Sequence, residues 1–268
     1  MHLYNYEGSD LIELYKKGNN FYDNMSIRHY RNVDANTSYT VAQIFKKKID
    51  GTYQYPFIRI IPTEADRKTA YDLARREGWD FVINGGGWEG PAIENSKVVL
   101  DDDPWYQPGG CIITVDGNGD FGYKDNVVAG DAARLAAQGI VSAFYHFFPL
   151  IVNYNNYDYP TDIPYTFGDH NWEVAQKQII GQYENGDYCI ITAEGRGFAN
   201  SVGFTVPQIQ SLCKNMGLKF AYHLDGGGST QTVMGLKHVN HIYEGTSGRL
   251  LPGFIVFNGT NTFKIPNA

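Results

Sequence analysis

Three apolar segments of this chain end in the same way, with a polar residue followed at once by glycine. They read Phe81-Val82-Ile83-Asn84-Gly85-Gly86-Gly87, Ile190-Ile191-Thr192-Ala193-Glu194-Gly195-Arg196 and Ala221-Tyr222-His223-Leu224-Asp225-Gly226-Gly227-Gly228-Ser229-Thr230. Glycine permits positive φ and close backbone approach at a cost in chain entropy, so these segments restrict the fold strongly. One such segment alone is typical of a tight turn or bulge. Three built alike favour one shared site, in which polar side chains and glycine amides meet a ligand.

Short apolar runs separated by turn residues predict many strands in the rest of the chain. Asp116-Gly117-Asn118 and Glu184-Asn185-Gly186-Asp187 are typical of hairpin turns. Residues 140–152 are almost wholly apolar and predict a buried strand pair or a strand followed by a turn. The remaining strands are predicted at 57–61, 80–84, 111–115, 119–123, 178–182, 188–193, 218–224 and 254–257.

Capping signals predict a few helices between these strands. Thr63 and Asp66 predict a capping box that opens a helix ending at Gly78, and Thr205 with Gln208 predicts a second capped helix. Further helices are predicted at 132–138 and near 10–17. The pattern indicates a single α+β domain with a mixed, mostly antiparallel sheet and a few packed helices. Residues 1–56 are expected to form an N-terminal extension packed on the core, and 57–268 the main domain.

Charge and apolar content exclude several classes of partner. The chain has 29 acidic and 22 basic residues and a net charge of −7, which argues against nucleic acid and anionic membranes as main partners. Residues 1–10 contain no basic region followed by an apolar run, so no secretory signal is expected, and no apolar run reaches the ~18 residues of a membrane span. We expect synthesis in the cytoplasm, with use in a virion or outside the cell left open. Three scattered cysteines favour neither a disulfide framework nor a metal site.

Leu224-Asp225-Gly226-Gly227-Gly228-Ser229-Thr230 resembles the signature of the phosphodiester glycosidase family. Further motifs follow in the order expected for that family, and the resemblance extends from about residue 57 to residue 257. These motifs are Asn84-Gly85-Gly86, Pro149-Leu150-Ile151-Val152, Glu194-Gly195-Arg196 and Arg249 before the last strand. Two positions depart from the family pattern, because Lys177 stands where the family often has arginine and Glu194 where it has aspartate. The expected lack of a secretory signal and the additional N-terminal segment resemble bacterial or phage-type members.

The resemblance implies hydrolysis of a sugar-1-phosphodiester at the anomeric carbon, in a glycan or a cell-wall polymer such as teichoic acid. A phosphate monoester leaves readily, so the chemistry needs a cation for the phosphate, a carboxylate near the anomeric carbon and hydrogen-bond donors for the sugar. Asp225, Glu194 and Arg196 are the expected catalytic residues, and the sequence leaves open which carboxylate is base, nucleophile or stabiliser. The expected substrate-binding residues are Asn84, Gly85, Gly86, Lys177, His223, Gly226, Gly227, Gly228, Ser229, Thr230 and Arg249.

Other interpretations of the same residues remain. His223 shares the strand face of Asp225 and is interpreted as a packed neighbour or an acid/base, and His146 as a satisfied core histidine. The reaction requires no cofactor, although a divalent cation near Asp225 is left open. The expected partner is a glycan or sugar-phosphate substrate, with a homo-oligomer or virion proteins as further candidates. The alternative function is a non-catalytic carbohydrate-binding module or a virion structural protein.

Overall fold

The strands of the described part of the chain form three sheets, and every pairing between them is antiparallel. This arrangement confirms the α+β, single-domain prediction, with the one predicted sheet divided into three. The computed structural model describes residues 24–86, 90–102, 110–159, 174–243 and 247–257, together with the backbone of 3–4. The helix predicted near residues 10–17 lies outside the described residues.

The main sheet has eight strands and passes through the centre of the fold. Its strands, in spatial order, are β1 (Leu3–Tyr4), β2 (Met25–Asn32), β3 (Thr37–Ile44), β14 (Tyr188–Ala193), β13 (Lys177–Gln182), β15 (Phe220–His223), β11 (Pro149–Val152) and β12 (Asn155–Asn156). Every residue of β13, β14 and β15 is buried. The apolar runs of β14 and β15 agree with this burial, whereas β13 also buries the polar residues Lys177, Gln178 and Gln182. Because β3 pairs with β14, residues 25–44 of the predicted N-terminal extension are continuous with the main sheet.

Two five-stranded sheets pack with the main sheet. The second sheet contains β7 (Lys97–Leu100), β6 (Ala92–Glu94), β10 (Ile140–Tyr145), β8 (Ile112–Asp116) and β9 (Phe121–Lys124). The third sheet contains β17 (Lys237–His238), β16 (Thr232–Met234), β5 (Phe81–Asn84), β18 (Gly253–Phe257) and β4 (Phe57–Ile60). The apolar run at 140–152 therefore forms two strands in different sheets, β10 and β11, rather than a pair with each other.

Three α-helices and three short 3-10 turns lie among the described residues. The α-helices are α1 (Ala70–Glu77), α2 (Asp131–Ala137) and α3 (Val206–Asn215), and the 3-10 turns are Glu64–Asp66, Phe198–Asn200 and Gly227–Ser229. The capping box of α3 is confirmed, since the Thr205 side chain accepts from the Gln208 amide and the Gln208 side chain accepts from the Thr205 amide. The first helix ends at Gly78 as predicted, in the left-handed conformation.

The predicted start of the first helix was wrong. Thr63 precedes only the 3-10 turn and makes no side-chain capping bond, and Arg67 then returns to extended backbone. The helix begins at Ala70, where the Thr69 hydroxyl accepts a hydrogen bond from the Asp72 amide at 3.0 Å. Both threonines stand three residues before an aspartate, so the local pattern alone does not separate them.

One large apolar cluster draws on all three sheets. It includes Ile179 and Ile191 from the main sheet, Phe144 from the second, Ile255 from the third and Leu212 from α3. Burying each such side chain contributes about 1.5–3 kcal/mol relative to leaving it in water. Smaller clusters lie under α1, against the third sheet, and under α2, against the second. A core shared in this way fixes the strand ends of different sheets relative to one another.

Changing the two threonines separately tests where the first helix begins. Thr69→Ala removes the capping acceptor and is expected to lower the free energy of unfolding by about 1 kcal/mol. Thr63→Ala removes no capping bond and is expected to change it by less than about 0.5 kcal/mol. Urea denaturation of both variants measures the difference. A larger loss of stability for Thr63→Ala would show that Thr63, and not Thr69, caps the helix.

Candidate functional site

Asn84, at the end of β5, joins the third sheet to the loop that follows β15. We call residues 225–231 the glycine loop. The Asn84 side chain is fully buried, and its Nδ2 donates to the Asp225 carbonyl at 2.6 Å. Its Oδ1 accepts from the Gln231 amide at 2.9 Å. Both polar atoms are thus used within the protein, which favours a positioning role for Asn84 over the direct substrate contact predicted from the sequence.

Several amides of the glycine loop are also used inside the protein. The Gly227 amide donates to the Gln176 carbonyl at 2.9 Å, and the Ser229 and Thr230 amides donate back to carbonyls within the loop. These hydrogen bonds make the loop rigid. An anion-binding nest would need the same amides to donate to its ligand instead. This geometry favours side chains, rather than these three amides, as the groups that meet a substrate.

Two arginines pack against the glycines of this loop. A side chain on Gly227, which has a φ of +55°, would come within 2.9 Å of the Arg196 guanidinium, and one on Gly228 within 3.0 Å of that of Arg249. Arg249 also donates to the Ser229 hydroxyl at 3.3 Å, while the Arg196 guanidinium carbon lies 4.8 Å from the ring centre of Tyr243. The absence of side chains at these glycines lets two cations approach one stretch of backbone.

Arg196 has a φ of +55°, in the left-handed region that residues other than glycine seldom adopt. Such a conformation costs on the order of 1–3 kcal/mol, and it persists where the surroundings hold the residue in place. Arg196 is exposed to solvent and lies two residues after Glu194. The strained backbone therefore presents its guanidinium at the end of β14, as a ligand-binding cation requires.

Glu194 forms a pair with His241, a residue for which the sequence predicted no role. Glu194 Oε1 lies 3.0 Å from His241 Nδ1 and accepts from the His241 backbone amide at the same distance. Phe198 stacks on the imidazole with ring centres 5.7 Å apart. Glu194 is 8% exposed, and its Oε2 is buried without a hydrogen-bond partner among the described residues. The hydrogen bond to Glu194 raises the pKa of His241 above its ordinary value.

Asp225 opens the glycine loop with a side chain that is 18% exposed. His146 Nε2 lies 4.0 Å from Asp225 Oδ1, so His146 stands beside a candidate catalytic carboxylate. Its Nε2 is buried and has no hydrogen bond to a described residue, which corrects the interpretation of His146 as a satisfied core histidine. Burial lowers the pKa of His146, an effect that the Asp225 charge opposes. His223 is buried and packs against Phe147, with ring centres 4.8 Å apart.

The structure brings the remaining predicted residues to the same edge of the main sheet. Lys177 is buried at the start of β13, and a Cβ atom added at Gly226 would lie 3.9 Å from the Lys177 Cα. The Gly85 carbonyl accepts from the Asp225 amide at 3.1 Å, while Gly86 packs directly against the side chain of His146. Ser229 and Thr230 are buried within the glycine loop. A ligand would therefore meet chiefly the more exposed side chains of this edge, which are Arg196, Arg249, Asp225, His241 and Tyr243.

A model of the phosphodiester glycosidase family matches residues 75–258. The chain belongs to the phosphodiester glycosidase family. It is 30% identical over 214 residues to the SPbeta prophage-derived uncharacterized protein YomE of Bacillus subtilis, a match that covers 75% of this chain. The chain spans 32% of the length of that relative. The resemblance to bacterial or phage-type members of the family is thereby confirmed.

Solved structures share the fold at low sequence identity. The catalytic domain of zebrafish N-acetylglucosamine-1-phosphodiester alpha-N-acetylglucosaminidase, auto-inhibited by its pro-peptide, matches with a TM-score of 0.64 at 14% identity, covering 88% of this chain and 83% of that domain. A hypothetical protein from Synechocystis matches with a TM-score of 0.66 at 11% identity, over 90% of this chain and 63% of that one. A putative exported protein from Burkholderia pseudomallei matches with a TM-score of 0.59 at 12% identity, over 83% of this chain and 74% of that one.

Neither a group of metal-binding side chains nor a membrane-spanning helix lies among the described residues. Among residues 24–86, 90–102, 110–159, 174–243 and 247–257, no three histidine, cysteine or acidic side chains group as a metal would require. None of the helices described there is long and apolar enough to cross a membrane.

Replacing Asn84 tests its positioning role. Asn84→Asp removes the donor to the Asp225 carbonyl and turns a second acceptor toward it, so the free energy of unfolding is expected to fall by about 1–3 kcal/mol. The matched control is Asn118→Asp in the exposed β8–β9 turn, where the hydrogen bond described for Asn118 comes from its backbone amide. Urea denaturation compares the two variants. Unchanged stability with weakened ligand binding would instead support direct substrate contact by Asn84.

The pairing of Glu194 with His241 makes a prediction about pH. We expect NMR titration to give His241 a pKa above 6.5, and Glu194→Gln to lower that pKa. Because the pKa is raised in the folded state, the stabilisation from this pair is fully present below pH ~6.5 and is lost as the pH rises through the folded value. Glu184→Gln, at the exposed turn between β13 and β14, is the control and should leave the titration of His241 unchanged.

Proposed function

We propose that the protein hydrolyses a sugar-1-phosphodiester by breaking the bond between the anomeric carbon and the phosphate oxygen. The observation that carries the proposal is the packing of two guanidinium groups against Gly227 and Gly228, in the loop that Asp225 opens. A phosphodiester needs cations at its phosphate and a carboxylate near its anomeric carbon, and these groups share one edge of the main sheet. Membership of the phosphodiester glycosidase family supports the same reaction.

Arg196 and Arg249 are proposed to hold the phosphate. Guanidinium groups offer paired N–H donors that match two phosphate oxygens, and they stay charged at all physiological pH values. Arg249 is anchored by its bond to the Ser229 hydroxyl, and Arg196 by its stacking on Tyr243. Fixed cations of this kind stabilise the negative charge that gathers on the phosphate as the bond breaks.

Asp225 is proposed to act at the anomeric carbon. One oxygen of Glu194 already accepts two hydrogen bonds from His241, whereas Asp225 is partly exposed at the start of the glycine loop. In the proposed step the water oxygen attacks the anomeric carbon, and Asp225 accepts a proton from that water molecule. The negative carboxylate also stabilises the positive charge that develops on the sugar ring.

The natural substrate is proposed to be a glycan or cell-wall polymer with sugar-phosphate links, such as teichoic acid, and the protein to serve as part of a phage tail or virion. The prophage origin of the Bacillus subtilis relative supports this setting. Lys177, His223, Thr230 and the loop glycines are proposed to shape the substrate pocket. The proposed chemistry draws on protein side chains and requires no cofactor, and a divalent cation beside Asp225 stays an untested prediction.

The central test is Asp225→Asn, assayed by mass spectrometry on a panel of sugar-1-phosphodiesters and teichoic acids. The amide keeps the size of the side chain but accepts no proton, so the rate of free-sugar release is expected to fall by at least about 100-fold. The melting temperature should stay close to that of the wild type. Asp50→Asn is the matched control, since Asp50 is exposed and its described hydrogen bonds are to Thr52 within its own turn.

Two results would contradict the proposal. Unchanged release of sugar by Asp225→Asn would remove Asp225 from the reaction. Glycan binding in calorimetry without turnover by the wild-type protein would instead support a carbohydrate-binding module on the same fold, in which the lysine and glutamate at positions 177 and 194 have replaced the residues usual in the family.

A further inference from the structure

The pair formed by Glu194 and His241 has the geometry of an oriented proton carrier. Glu194 Oε1 lies 3.0 Å from His241 Nδ1, and Phe198 stacks on the ring. A carboxylate at Nδ1 fixes the proton on that nitrogen and leaves Nε2 as the nitrogen that reaches a ligand. The His241 side chain is 44% exposed, whereas Glu194 is buried beneath it. The imidazole can therefore exchange a proton with a bound molecule. The buried carboxylate acts through the imidazole, whose orientation it fixes.

Backbone contacts fix this pair in place. The Gln176 side chain donates to the His241 carbonyl at 3.0 Å, and the Gln176 carbonyl accepts from Gly227 in the glycine loop. Asn240 donates to the carbonyls of both Thr230 and His241. His241 is thus held to the same loop that carries Asp225, by bonds that neither side chain of the pair supplies.

The position of the pair indicates which part of the substrate it meets. Phe198 contacts both the His241 ring and the Tyr243 ring, and Tyr243 in turn stacks on Arg196. His241 therefore lies on the side of the arginine proposed to bind phosphate. Asp225 lies beside a different histidine, His146, at 4.0 Å. The charged and titratable groups described around His241 are Glu194 against its ring, and Arg196 and Tyr243 beside Phe198.

We propose that His241 donates a proton to the departing phosphate and that Glu194 is the positioning residue that orients it. In this step a water oxygen bonds to the anomeric carbon, and the bond from that carbon to the phosphate oxygen breaks with its electron pair on the phosphate. The water proton passes to Asp225, and the proton on His241 Nε2 passes to the phosphate. Solvent then takes the proton from Asp225 and returns one to His241, so the net reaction consumes one water.

This inference rests on the proposed function and assigns a different task to each of the two carboxylates. Asp225 serves the anomeric carbon, whereas Glu194 acts only through the imidazole. The raised pKa of His241 agrees with the assignment, because it keeps a larger share of the imidazole protonated near neutral pH. A phosphate monoester, with a second pKa of about 6, is a suitable acceptor for that proton.

The test compares His241→Gln with the wild type on two diesters of one sugar, a methyl phosphate and a 4-nitrophenyl phosphate. The turnover number on the methyl diester is expected to fall by about 100-fold, with a much smaller change in KM. The loss on the nitrophenyl diester should be clearly smaller, because that phosphate is a weaker base and needs less help from a proton donor. Glu194→Gln should move the alkaline limb of the pH–rate profile to lower pH, since the pKa of His241 falls.

His238→Gln is the matched control for the histidine change. His238 lies three residues earlier and stacks on Tyr71 of α1, so its replacement should leave both rates within about twofold. Circular dichroism and the melting temperature show whether His241→Gln is folded. If it is not, the pH–rate profile of Glu194→Gln, which keeps the imidazole, still tests the role of His241. An equal loss on both diesters, or an unmoved pH profile in Glu194→Gln, would overturn the role of His241 as proton donor.

A binding measurement separates this inference from the proposed function. Glucose 1-phosphate added to the wild-type protein is expected to raise the NMR-measured pKa of His241, because a phosphate dianion beside Nε2 favours the imidazolium. Absence of cleavage on every diester would contradict the proposed function, while the pKa shift would still show the contact with phosphate. Cleavage of the diesters with no pKa shift on phosphate binding would leave the proposed function standing and overturn the role of His241.

Discussion

The buried amide of Asn84 is the interaction on which the rest of the site depends. It binds the backbone at both ends of the glycine loop, at Asp225 and at Gln231, and so ties the end of β5 to the exit of β15. An amide is suited to this task because it can both donate and accept hydrogen bonds without a charge that burial would penalise. With both ends held, the loop between them has one shape against which side chains from other segments can pack.

That single loop shape explains how a chain of net charge −7 holds a cationic site. Arg196 and Arg249 come from segments far apart in sequence and meet at adjacent glycines, where any side chain would displace a guanidinium. Both guanidinium groups lie against the loop that Asp225 opens. In the proposed function, this local positive field serves the phosphate of the substrate while the protein as a whole stays acidic.

Local patterns predicted much of the fold. The hairpin turns, the α3 capping box and the buried central strands all follow from residues a few positions apart, and the structure contains each of them. The prediction failed where two local solutions were equal, as at Thr63 and Thr69, and only the return of the backbone to extended structure at Arg67 decided between them. The run at 140–152 was ambiguous for a related reason, since its two strands take their partners from distant segments of different sheets.

The sequence by itself determined that three glycine-flanked strand ends exist and that acidic, basic and amide side chains follow them. The tertiary structure alone decided what those side chains do. The pairing of Glu194 with His241 spans 47 residues, and the approach of His146 to Asp225 spans a larger separation still. No local pattern encodes such contacts, because they arise only when a core shared by three sheets sets the relative positions of their strand ends.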